Sequence, residues 1–267
     1  MNRRALLWCA PLLLLPGDAL AWGLQTHLFF AQHALLAMPL ADAEFRRAAA
    51  RLPRLVLAGA CLPDIALAGR LLGVGVFRRC HGWPMLRRFV AAISDEERAL
   101  ALGYASHLVS DVVAHNHFVP EYEERITPVG FTTHALCEWA MDEHVRAAVF
   151  AAPAEVLEAE RETLAAAVAP RLRCDEHLVR RATDMLAHAD RLLRRLRLPR
   201  ACRGVVRRFD HLLAARFDAY ARETASRLAR IWAVLEGNVP SAEPEPVGAV
   251  APSPRTPGRL LPPASLV

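Results

Sequence analysis

The densest stretch of chemistry-bearing residues is LGYASHLVSDVVAHNHF, where His107, Asp111 and His115 recur at intervals of four. On a helix this spacing stacks three side chains on one face over successive turns. The neighbouring residues are mostly apolar, and an ionisable group buried among them without a partner costs on the order of several kcal/mol. A divalent cation satisfies all three groups at once, and imidazole and carboxylate are ordinary zinc ligands. The alternative is a polar stripe turned to solvent. His134 and Glu138 repeat the four-residue spacing on a second apolar segment. Alone they also read as a surface or capping pair, but two such pairs on facing helices favour a polynuclear metal site.

Other ligand-type residues stand singly. Asp64 follows Pro63 and otherwise reads as a helix N-cap; His81 lies in Cys80-His81-Gly82-Trp83, directly after Arg78 and Arg79. The two arginines could grip a phosphate bidentately or simply face solvent. Residues 1–21 have two arginines, an apolar run too short for a stable membrane span, and the small-x-small end Ala19-Leu20-Ala21, the layout of a secretory signal peptide. The mature chain then starts at Trp22 in an exported, periplasmic or secreted protein. A freed α-amino group has a pKa near about 8 and, once deprotonated, can chelate zinc together with its own carbonyl oxygen. His27, five residues on, could complete that site or be an ordinary helix-start residue.

The elements that must position these residues are helical. From Thr26 onward apolar residues recur at helical spacing, and strand-like alternation is nearly absent. The pattern predicts helices over about 25–38, 42–59, 84–92, 95–118, 131–150, 153–169, 175–197 and 201–236, separated by prolines. Ser94 followed by Asp95, Glu96 and Glu97 predicts an N-cap for the helix that carries His107. With 267 residues and 54% apolar composition, one compact all-α domain over residues 22–236 is expected. After it comes a Pro-rich tail, 237–267, expected to be disordered. The net charge of +5 comes from arginine without any lysine; it is too diffuse to identify an anionic partner. Export makes the cysteines after residue 21 disulfide candidates, with Cys61–Cys80 and Cys174–Cys202 as pairings suggested by order alone.

Taken in order, Trp22, His27, Asp64, His81, His107, Asp111, His117, His134 and Glu138 resemble the ligand series of the zinc-dependent phospholipase C family. Its relatives are the single-strand-specific zinc nucleases and the amino-terminal domain of glycosylphosphatidylinositol phospholipase D. The resemblance implies a single-domain multi-helix bundle holding up to three zinc ions. One would be bound by Asp64, His81, His107 and Asp111. The second would take His134, Glu138 and a histidine after Asp111, either His115 or His117. The third would take Trp22, His27 and a bridging Asp111. His115 fits if the helix runs on, His117 if it ends near Ala114. The implied activity is phosphodiester hydrolysis by a metal-activated hydroxide attacking phosphorus, with Asp64 orienting the water as the catalytic residue.

The expected substrate is a phospholipid, with transient membrane-surface contact and no stable nucleic-acid complex; Glu138, where the nucleases usually have Asp, favours it. A single-strand nuclease or nucleotidase with the same zinc site is the alternative. It would need aromatic residues to clamp bases, for which Trp83, Tyr104, Tyr122, Phe131 and Trp139 are candidates. A different class of reading is an exported zinc- or lipid-binding protein without catalysis.

Overall fold

The computed structural model describes residues 23–37, 42–91, 94–126 and 131–244. The signal-peptide reading of residues 1–21, the chelating role of Trp22 and the tail beyond 244 lie outside the described residues. Among those described, 14 α-helices and no strand are present, so the protein is all-α as the apolar periodicity predicts. None of these helices is long and apolar enough to cross a membrane.

The central helix is Asp95–Val113, buried at every position from Ala99 to Val113. An all-round apolar sequence leaves a helix no solvent face, so neighbours must enclose it. Numbered in chain order, those neighbours are α1 (Leu24–Ala37), α2 (Ala43–Arg51), α3 (Pro53–Cys61), α5 (Trp83–Val90), α13 (Leu213–Leu228) and α14 (Ile231–Leu235), around α6 (Asp95–Val113). The predicted N-cap of α6 is a full capping box. Ser94 Oγ accepts from the Glu97 N–H at 3.2 Å, and Glu97 Oε2 accepts from the Ser94 N–H at 3.2 Å.

Two glycines allow the closest packing. A Cβ on Gly103 of α6 would lie 1.9 Å from Val56 O, and one on Gly59 of α3 would lie 2.5 Å from Leu100 O. Backbone therefore meets backbone where α3 crosses α6, a contact that a side chain at either position would prop open.

Several helices divide where the apolar pattern shows one. The segment 42–59 splits at Leu52 into α2 and α3 because Pro53 lacks an N–H to continue the ladder and instead starts a helix at its first turn. The stretch 201–236 becomes α12 (Leu198–Phe209), α13 and α14. Between Pro63 and Pro84 the structure adds α4 (Ile65–Leu71) and a 3-10 helix at Gly75–His81, elements too short to leave a period in the sequence. At Pro120 the reverse holds, since the chain stays helical through it. Ala114–Phe118 forms a π-helical turn leading into α7 (Val119–Arg125), and the Val119 N–H reaches back to Ala114 O. The wider turn makes room for a proline ring that would otherwise press on the carbonyl four residues back.

The remaining helices are α8 (Phe131–Val145), α9 (Pro153–Ala159), α10 (Arg161–Leu172) and α11 (Glu176–Arg195). α8 packs on α12 and α1; α11 packs on α9, α10 and α4. The expectation of a tail disordered from residue 237 needs correction for its first residues. Trp83 Nε1 donates to Ala242 O at 3.2 Å, Asn116 Nδ2 donates to Glu243 O at 3.3 Å, and Pro244 is buried. Cys61, Cys80, Cys137 and Cys174 are thiols in the structure, so neither pairing suggested by order is made.

Candidate metal centre

His107 is oriented by the glycine-mediated crossing. Its Nδ1 lies 2.7 Å from Ala60 O of α3, and a carbonyl only accepts, so Nδ1 carries the proton and Nε2 keeps its lone pair. That Nε2 is 2.8 Å from Asp111 Oδ2, one helical turn on, with both side chains fully buried. Among the described residues, neither His107 Nε2 nor either Asp111 oxygen has a partner in hydrogen-bond geometry. Two electron-rich atoms this close, shut off from water, must share a positive charge, which a proton or a metal ion can supply.

Three further residues converge on the same point. His27, on the first turns of α1, brings Nε2 to 3.4 Å from Asp111 Oδ1 and stacks its ring on His107 with centroids 3.6 Å apart. Its Nδ1 lies 3.1 Å from Ser110 Oγ. Ser110 donates its own proton to His107 O at 2.7 Å, so it accepts from His27 Nδ1–H, which leaves Nε2 facing the cluster. His81, at the end of the 3-10 helix, has Nε2 3.1 Å from Asp64 Oδ1 and 4.0 Å from Asp111 Oδ2. The Tyr104 hydroxyl donates to Cys80 O and so fastens the turn carrying His81 to α6. The ligand atoms of His27, Asp64 and His107 lie within 4.8 Å of one another, as do those of His81, His107 and Asp111. Zinc bonds of about 2.0–2.2 Å to N and O fit inside such groupings.

The second pair adjoins the first cluster. On α8, His134 Nε2 is 2.7 Å from Glu138 Oε1, and the His115 ring approaches the His134 ring with centroids 5.2 Å apart. Burial, chiefly, pushes the Glu138 carboxyl well above its ordinary range; Asp64, Asp111 and Asp142 add to this and His81 opposes it. Burial also raises Asp111, against the pull of His107 and His81. His115 is driven well below the usual histidine range by burial and by His134, His81 and His107. His115, His134 and Glu138 thus lie within electrostatic reach of the first cluster.

The structure separates the two histidines after Asp111. The backbone stays helical through the π turn, and His115 is turned towards His134. His117 projects outward, 44% exposed, with Glu223 at 4.0 Å and Arg227 Nη2 at 3.2 Å from its Nε2. His27, Asp64, His81, His107 and Asp111 are thus brought together, His115, His134 and Glu138 form a second group, and His117 belongs to neither. Arg78 and Arg79 are exposed. Of the aromatic candidates, Tyr104, Tyr122, Trp83 and Trp139 are buried in the core, and the Phe131 side chain lies outside the described residues.

Sequence reasoning missed Ser110, for which no signal stands out, and Asp142, which continues the His134 and Glu138 spacing by one more turn.

The family model for zinc-dependent phospholipase C matches residues 26–192, a span that includes every ligand-type residue named above except Trp22. Comparison with curated proteins and with solved structures gives no match. The buried set of imidazoles and carboxylates fits zinc, which is the family's cofactor. The matched span exceeds half of the 267 residues, and the chain belongs to the zinc-dependent phospholipase C family.

Proposed function

We propose that this protein is an exported zinc-dependent phosphodiesterase whose substrates are phospholipids, cleaved in the manner of a phospholipase C. The observation that carries the reading is the fully buried pair of His107 Nε2 and Asp111 Oδ2, 2.8 Å apart and outside hydrogen-bond geometry, inside a family defined by zinc and phospholipid. Zinc, when bound, supplies positive charge to phosphate oxygens and makes water acidic enough to ionise near neutral pH. Asp64, His81, His107 and Asp111 would hold one ion, and His115, His134 and Glu138 a second. His27 and Asp111, with Trp22, would hold a third. Asp64 is the assigned proton acceptor, because its carboxylate adjoins the cluster with His81 as its close side-chain partner among the described residues.

A membrane-surface substrate suits the exterior at the turn between α12 and α13. There Phe209 is 60% and Leu212 61% exposed, beside exposed Arg207 and Arg208. Apolar side chains ringed by guanidinium groups can seat in the headgroup region of a bilayer. The nuclease alternative finds less support, since four of its five candidate clamp residues are core side chains.

The test is hydrolysis of phosphatidylcholine micelles beside single-stranded DNA, with and without a zinc chelator. Release of a phosphate-bearing product from the micelles, lost on chelation and restored by zinc, is the expected result. Cleavage of the DNA alone would replace the reading with the nuclease one. A zinc-loaded protein inert to both would be a non-catalytic zinc- or lipid-binding member.

A further inference from the structure

α8 presents His134, Glu138 and Asp142 at successive intervals of four, yet only the first two face the metal centre. Asp142 is 4% exposed, and its carboxylate is directed at the start of α1. Oδ1 accepts from the Thr26 N–H at 2.9 Å and from Thr26 Oγ1 at 2.7 Å, and Oδ2 accepts from the Gln25 N–H at 3.3 Å. First-turn N–H groups form the positive end of a helix and ordinarily bond to the side chain of the residue just before it. Here the capping carboxylate comes from 116 positions along the chain from Thr26.

Gly23 makes the approach possible. A Cβ there would stand 2.5 Å from the Asp142 carboxyl carbon and from both its oxygens, so any other residue would push the chain end and the carboxylate apart. Behind Asp142, Arg194 Nη2 lies 3.8 Å from Oδ2 and 2.7 Å from Asp190 Oδ1. The guanidinium from α11 thus stands within ion-pair reach of Asp142 as well as of Asp190. Directly after Thr26 comes His27, whose Nε2 is 3.4 Å from Asp111. One peptide bond before Gly23 is Trp22.

We propose that Asp142 is a positioning residue for the metal centre, clamping the first turn of α1 to α8 so that His27 is held against Asp111. The inference rests on the zinc-centre reading for its consequence, though not for its geometry. Two readouts on purified Asp142→Asn and Asp142→Ala proteins separate the two. The first is amide hydrogen exchange of residues 24–30 in the metal-free protein, compared with α10 as an internal reference. The second is zinc per chain after dialysis at a fixed low free-zinc concentration.

The expected result is exchange in 24–30 faster by tenfold or more with α10 unchanged, together with the loss of about one zinc per chain. Asp142→Glu should recover part of both. Exchange and zinc content both unchanged from wild type would overturn the proposal while leaving the zinc centre intact. Faster exchange in a protein whose wild type binds no zinc would uphold the clamp and overturn the zinc reading. If Asp142→Ala fails to fold, Thr26→Val removes one bond of the clamp while keeping the carboxylate. A smaller shift in the same direction then supports the proposal, and none counts against it.

Discussion

Asp111 has histidine Nε2 atoms around it at 2.8 Å (His107), 3.4 Å (His27) and 4.0 Å (His81), and no access to solvent. A carboxylate so surrounded can bridge two cations, using one oxygen for each, because His27 approaches Oδ1 while His107 and His81 approach Oδ2. Asp111→Asn keeps the shape and removes the charge. One of the two positions facing the histidines becomes an NH₂ group, which cannot bind a metal. This variant should fold, lose at least one zinc, and lose activity by at least about 100-fold, the upper end of what altering a mere supporting partner costs. Elemental analysis and turnover on the same preparation check it, and full activity with unchanged zinc would sink the bridging role.

The α3–α6 crossing shows how an element sets a residue's chemistry, since the tautomer of His107 follows from the position of Ala60 O. Gly103→Ala would drive a methyl group into Val56 O, a backbone atom that cannot turn aside, at a cost of roughly 1–3 kcal/mol or more. A Cβ on Gly204, in α12, would meet no atom of the described residues within 4 Å. Gly204→Ala should therefore hold or raise the melting temperature, given that glycine within a helix costs about 0.5–1 kcal/mol against alanine. A fall of several degrees for Gly103→Ala with weakened zinc retention, beside no fall for Gly204→Ala, is the expected pair of thermal scans. The same crossing marks what the sequence made legible. His107, Asp111 and His115 were readable because helical periodicity puts residues four apart on one face, and the order of ligand types pointed to Asp64, His81 and His27. Ser110, the Ala60 carbonyl and Asp142 were not readable as partners, because their contacts join separate helices and no local pattern encodes those. The choice between His115 and His117 turned on whether helix or turn follows Ala114. Pro120 suggested a break, and the π turn absorbs the proline instead.

For the whole molecule, the buried centre couples folding to pH in opposite directions with and without metal. Without metal, Asp111 and Glu138 have folded-state pKa values raised by burial, so the folded protein holds protons that the unfolded chain has released. Each such group leaves stability undiminished below the unfolded carboxylate range of about 4 and erodes it as pH rises towards the folded value. His115 acts with the other sign. Its folded pKa is depressed, so it costs stability as pH falls below the unfolded histidine value of about 6.5 and contributes no slope above it. From about pH 6.5 upward the histidine adds no slope and the carboxylate effect remains, with Glu138 pushed well above its ordinary range by burial. The melting temperature of the metal-free protein should therefore fall as pH rises above the ordinary carboxylate range. Zinc reverses the slope, because its ligands must be deprotonated to bind and its affinity rises with pH; binding to the folded state alone then adds stability. Thermal scans at several pH values, on chelator-treated and zinc-saturated protein, should give lines of opposite slope. Parallel lines would mean that Glu138 and Asp111 are not where the metal and the proton compete.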